Sequence, residues 1–194
     1  MAVYDTNVVI NCLDGDERAC KLMETDSECV IPPTVASEVR SGLHKVPPNC
    51  KVYTYQEEPF NDPSVAVEPA RFAAAIREVF FSKRKRGRRK EWEVSGKTKR
   101  WFQSLCTEWK NGRIDENDWR IVKEANVLAE LGYIDDKRLI SNDSHITHDF
   151  CKAAYKYVME RLDQIVGGEP EEMEVEIIPY EKAIRTVVHP PTIP

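Results

Sequence analysis

Four acidic side chains occupy places where short apolar runs end or helical patterns begin. Asp5 directly follows Ala2-Val3-Tyr4, and Asp143 follows RLIS and Asn142. Glu38 lies just beyond an apolar run closed by Pro32-Pro33, and Asp118 lies in the segment IDENDW. Carboxylates gathered at one place repel one another and raise each other's pKa, and a divalent cation relieves that cost. Oxygen ligands of this kind suit Mg²⁺ or Mn²⁺. With 33 Asp and Glu in 194 residues, any one of these acids alone is as well explained as a helix cap or a solvated group. Asp115 is as good a cap as Asp118 three residues later. It is the set of four, in order and in matching elements, that carries weight.

The neighbours of these acids add polar groups. Thr6, Asn7 and Asn142 could hydrogen-bond to the carboxylates or to a phosphate, and turn and cap chemistry explains them equally well. His145, His148 and Asp149 follow Asp143 closely. Ordinary cap and surface roles are the commoner outcome for such residues. Asp149 is the strongest of the three because it could cap a helix and also face the acidic rim.

A second feature is cationic. Lys83, Arg84, Lys85, Arg86, Arg88, Arg89 and Lys90 form a dense run, continued by Lys97, Lys99 and Arg100 beside Trp101 and Phe102. Residues 83–100 carry about +8 on a chain of net charge −5, so the remainder is about −13. A charge run is usually a solvated face, but a basic island on an acidic protein suits contact with a polyanion. Cations neutralise phosphates and aromatic rings stack on unpaired bases. Trp101, Phe102 and Trp109 fit a small local core better than a stacking platform, with Trp92 the exception.

The elements that must position these groups follow from pattern. Apolar runs predict strands at residues 2–4, 29–31, 138–141 and 175–178, and KVYTY alternates like a strand over 51–55. Helices are expected over 7–13 and 16–23, with Asp16 as cap. Another is expected over 35–42, capped by Thr34 and carrying Glu38 in its first turns. Pro59, Asp62-Pro63 and Pro69 predict a loop before a helix at 70–81, and 97–109 reads as a further helix. A long helix spans about 116–131 and stops at Gly132. The last runs over 150–166 to Gly167-Gly168, and 187–194 resembles a proline-rich tail. Strands alternating with helices predict an α/β fold: a three-layer α/β/α arrangement around a mostly parallel sheet, whose functional groups collect at the carboxyl ends of the strands. The organisation expected is one domain over 1–180, with a helical basic insertion at about 57–113 and a tail at 181–194.

Composition fits a globular chain, with 41% hydrophobic and 31% charged residues. No apolar run approaches the roughly 20 residues needed to span a bilayer, and the N-terminal residues lack the pattern of a signal peptide. Cys12, Cys20, Cys29, Cys50, Cys106 and Cys151 show neither a C-x-x-C pair nor a zinc-like spacing. They are expected to be reduced thiols, which points to a cytoplasmic protein.

Taken together, the motifs resemble the PIN-domain nuclease family. VYDTNVVI is similar to its first motif, IPPTVASEV to its second, NDWRIVKEA to its third and LISNDSHI to its fourth. The resemblance covers residues 1–45 and 114–150, and 150–180 more loosely. The 57–113 insertion and the long spacing from Asp118 to Asp143 depart from the family pattern. The resemblance implies that Asp5, Glu38, Asp118 and Asp143 hold one or two Mg²⁺ or Mn²⁺ ions. These would activate water against a phosphodiester, leaving a 5′-phosphate and a 3′-hydroxyl. It implies a nucleic-acid partner, RNA ahead of DNA. A homodimer and an antitoxin or RNA-processing partner are alternatives that small members of the family leave open. Two rival readings are a structure-specific 5′ nuclease on DNA and a non-catalytic nucleic-acid-binding module. A haloacid-dehalogenase-like phosphatase ranks low, because that chemistry wants an Asp where Asn7 stands.

Overall fold

The computed structural model describes residues 1–81, 116–162 and 169–188. Elements are numbered in chain order among these residues. Five strands form one sheet: β1 (Ala2–Tyr4), β2 (Cys29–Ile31), β3 (Cys50–Val52), β4 (Arg138–Ser141) and β5 (Glu176–Pro179). The order is β3-β2-β1-β4-β5 and every pairing is parallel. The fold is therefore α/β, with a sheet more uniformly parallel than expected. Val3 lies beside both Val30 and Leu139, and Leu139 beside Ile177. Residues 2–4 and 29–31 are wholly buried. Burial on both faces explains why these strands read as continuous apolar runs rather than alternating ones.

The helices are α1 (Thr6–Leu13), α2 (Glu17–Thr25), α3 (Pro33–Glu38), α4 (Pro63–Phe81), α5 (Glu116–Glu130), α6 (Ser144–Thr147), α7 (Asp149–Met159) and α8 (Tyr180–Val188). They fall into two packed groups. Helices α1, α2 and α8 lie together, and α5 gathers α3, α4 and α6, with α4 also against α7. This grouping is compatible with a three-layer fold. Asp16 caps α2 as expected, accepting from the Arg18 N–H at 2.9 Å. Gly132, at φ +74°, ends α5 in the left-handed conformation that glycine adopts without a Cβ clash.

Several expectations are corrected. Thr34 does not cap α3. Pro33 begins that helix, its fixed φ suiting the first turn, and the Thr34 side chain turns instead to Glu124. Glu38 consequently closes α3 rather than lying in its first turns. Helix α4 starts at Pro63 and runs through Pro69. Asp62 caps its first turn by accepting from the Ser64 N–H at 2.8 Å. Helix α4 packs on α5, with Phe72 buried and its ring centroid 6.2 Å from that of Trp119. Helix α7 ends at Met159, earlier than expected. Residues 181–188, expected in the tail, belong to α8. Ala183 and Ile184 are buried, and the Tyr180 hydroxyl donates to Asp16 at 3.2 Å.

The cysteine expectation also fails. Cys12 is bonded to Cys20 and Cys29 to Cys50, while Cys151 is a buried free thiol. Sequence spacing hid both pairs. The register of β2 on β3 sets Cys29 beside Cys50, and the α1–α2 hairpin folds Cys12 onto Cys20. The thiol argument for a cytoplasmic protein falls with this correction. No helix among the described residues is long and apolar enough to cross a membrane. The cationic run 83–100, with Trp92, Trp101, Phe102, Trp109, Cys106 and Asp115, lies outside the described residues.

Helix α5 is the centre of the helical packing. Residues 121–129 are all buried, including Lys123, Glu124 and Asn126. Each of the three polar residues is partnered. Lys123 pairs with Glu68 at 3.2 Å and with Glu171. The Asn126 side-chain Oδ1 accepts from the Glu174 and Val175 N–H groups at 2.8 and 3.2 Å, which fixes the approach to β5. Asn126→Ala leaves those two donors unsatisfied. It is expected to lower stability by about 1–3 kcal/mol in urea denaturation, with an unchanged m-value.

Candidate metal centre

Strand order reverses about β1, so the crevice beyond the carboxyl ends of β1 and β4 is where an open parallel sheet presents its functional groups. Asp5 ends β1 there, its N–H donating to the Ile140 carbonyl at 3.0 Å. Its side chain is 2% exposed and serves as the N-cap of α1, accepting from the Thr6 N–H at 2.7 Å. The other carboxylate oxygen accepts from the Ser141 hydroxyl at 2.8 Å. Asp143 follows β4 and caps α6, accepting from the His145 N–H at 2.7 Å. Ser141 links the two acids, since its hydroxyl also accepts from the Asp143 N–H at 2.9 Å.

The remaining acids arrive on helices. Glu38 comes from the end of α3 and accepts from the Thr6 hydroxyl and, at 2.6 Å, from the Asn117 amide. Asp118 comes from the first turn of α5. Ligand atoms of Asp118, Asp143 and His145 all lie within 4.8 Å of one another, and His145 Nδ1 is 3.1 Å from Asp143 Oδ1. The structure thus brings Asp5, Glu38, Asp118 and Asp143 to one rim.

Electrostatics agrees with this placement. Burial pushes the Asp5 carboxyl up to about 6, and the charges of Asp143 and Glu38 add to the shift against the opposing Ser141 and Thr6 bonds. Burial raises the Cys151 thiol to about 11, with Asp143 and Asp118 contributing. The buried Tyr155 hydroxyl is raised chiefly by burial and also feels Asp118, Asp143 and Asp5. Three acids from three elements therefore act on one hydroxyl.

Of the flanking candidates, Thr6 and Asn7 do meet the acids, with Asn7 donating to Asp143 at 3.3 Å. Asn142 and Asp149 are exposed, and among the described residues no hydrogen bond joins either to the four carboxylates. His148 is likewise exposed, whereas His145 belongs to the cluster. Sequence reasoning passed over Ser141 and Asn117. Each immediately precedes or nearly precedes a candidate acid, a position with no signal of its own until the fold turns the side chain inward.

The donor set fits a hard or borderline divalent cation. It offers several carboxylate oxygens and one imidazole nitrogen, and the bonds to Asp5 and Glu38 come from neutral hydroxyl, amide and N–H donors. Comparisons with protein-family models, curated proteins and solved structures gave no match.

Asp5 generates a pH prediction for the metal-free protein. Its pKa is higher folded than the 3.8 of a free carboxyl, so the folded state holds this proton more tightly. Its contribution to stability is present below about pH 4 and is lost as pH rises through about 6, a change of roughly 3 kcal/mol. Urea denaturation in EDTA across that range should show the loss in the wild type, and Asp5→Asn should flatten it.

Proposed function

We propose that this protein is a metal-dependent nuclease of PIN type that hydrolyses phosphodiester bonds in single-stranded RNA. The observation that carries the reading is the group Asp118, Asp143 and His145 at the carboxyl edge of a parallel sheet, with Asp5 joined to Asp143 through Ser141 and Glu38 bonded to Asn117 beside it. The four motif resemblances support it, and so does the basic run at 83–100, which supplies charge complementary to a phosphate backbone.

In this reading Asp5, Glu38, Asp118 and Asp143 would hold Mg²⁺ or Mn²⁺, with His145 adjoining as a nitrogen donor. A bound divalent cation supplies charge neutralisation and Lewis-acid activation of water for attack at phosphorus. The chain's own groups set the geometry. Ser141 and the Thr6 N–H orient the Asp5 carboxylate, and the Thr6 hydroxyl and Asn117 amide orient Glu38. Asn7 and the His145 N–H fix Asp143. Such bonds hold each oxygen lone pair in a set direction before substrate arrives, so little reorganisation is left for the reaction itself.

Labelled single-stranded RNA and flap DNA, each with Mn²⁺ and with EDTA, test the proposal. Cleavage of the RNA is expected only with the metal, and Asp143→Asn should lower its rate roughly 100-fold or more. Full activity in that variant, or none in the wild type on either substrate, would overturn the reading. Cleavage of flap DNA alone would reassign it to a structure-specific 5′ nuclease.

A further inference from the structure

Glu124 is a buried carboxylate in the middle of α5, away from the rim that holds the four acids. It is fully buried, and its oxygens accept from the Thr34 N–H at 3.0 Å, the Thr34 hydroxyl at 2.7 Å and the Tyr55 hydroxyl. Burial drives its carboxyl up to about 7, with the Tyr55 and Thr34 bonds opposing that shift. Burying a carboxylate is unfavourable, and an apolar pair would pack α3 on α5 at lower cost. What the carboxylate adds is direction: three donors from two segments must meet two oxygens, which permits few arrangements.

The consequence lies at the other end of the same contact. Helices α3 and α5 run antiparallel, because Thr34 meets Glu124 while Glu38 meets Asn117. Thr34 and Glu38 are four residues apart and share one face of α3, and Asn117 and Glu124 are seven apart and share one face of α5. The two helices are thus joined by two polar rungs. The rung at Asn117 is exposed and adjoins Asp118, whereas the rung at Glu124 is buried and about two helical turns further along α5. An exposed rung competes with water, so the buried one sets the angle of α3.

We infer that Glu124 is a positioning residue for the metal centre: by clamping Thr34 and Tyr55 it fixes α3 on α5 and so sets where Glu38 stands beside Asn117 and Asp118 at the rim. The inference rests on the metal-binding part of the proposed function. It assigns Glu124 no contact with cation or substrate.

The test is Mn²⁺ affinity by titration calorimetry on the full chain, with stability followed in parallel by urea denaturation. Thr34→Val preserves shape and removes one donor of the clamp, and Glu124→Ala removes the clamp entirely. Both are expected to weaken Mn²⁺ binding about tenfold or more. Glu124→Gln keeps the size, and with its oxygen accepting from the Thr34 N–H and its amide donating to the Thr34 and Tyr55 hydroxyls it should hold affinity to within about twofold of the wild type. Asn126→Ala, on the same helix but bonded to the β5 approach, should lose stability and keep its Mn²⁺ affinity. Wild-type affinity in a folded Thr34→Val would overturn the inference and leave the metal centre standing. So would an Asn126→Ala as weakened as Thr34→Val, because affinity would then follow stability alone. If Glu124→Ala does not fold, Thr34→Val and Glu124→Gln decide the matter. A wild type that binds no Mn²⁺ would remove the metal centre itself, and the positioning role with it.

Discussion

The Asp5 carboxylate is the constraint around which the carboxyl edge is arranged. It ends the central strand, where burial is deepest, and its hydrogen-bond partners are a hydroxyl and a backbone N–H. Neutral donors orient a carboxylate and do not cancel its charge. The like charges of Asp143 and Glu38 work against ionisation at the same place. A protein that folds this way tolerates a standing electrostatic cost at one rim, a cost that a bound cation would reverse. The other features of the rim follow from it: Ser141 bridges two acids, Thr6 reaches to a third, and short helices begin on the acids themselves.

Behind that rim stands α5. A helix buried over residues 121–129 usually carries only apolar side chains, yet this one buries Lys123, Glu124 and Asn126 and partners each. Each of the three binds a different part of the chain: α4 and Glu171, then α3 with Tyr55, then the segment entering β5. Apolar packing alone would hold these parts close with latitude in angle. Directional bonds remove that latitude. The helix that supplies Asp118 is therefore also the one that locates Glu38 and the entry to β5. This coupling gives Glu38 a rigid backing that its own exposed hydrogen bonds to Thr6 and Asn117 could not supply.

The edges of the sheet are secured differently from its centre. β3 lies at one edge with Cys50 and Val52 only partly buried and Lys51 exposed, and the Cys29–Cys50 bond ties it to β2. β5 lies at the other and leads directly into α8, whose apolar residues pack back toward α2 and the sheet. Both devices protect short edge strands that few side chains could hold alone.

The sequence alone determined the α/β class of the fold and the places of Asp5 and Asp143 just beyond strands and of Asp118 at the start of a helix. Strands buried on both faces read as short apolar runs, and Asp5, Asp16 and Asp143 sit where a strand or turn gives way to a helix; both signals are local and survive in a linear reading. The helix at 116–130 and its glycine stop were legible for the same reason. What the sequence could not carry were relations between residues far apart in the chain. Thr34 read as a cap because caps are local, and only the packing of α3 on α5 shows it bonding to Glu124, 90 residues away. Cys29 and Cys50 are neighbours only through strand register, and α8 finds its place only through its packing on α2, β4 and β5. Periodicity and capping are fixed by neighbours along the chain, whereas partner choice is fixed by which surfaces meet, and only the tertiary structure decided that.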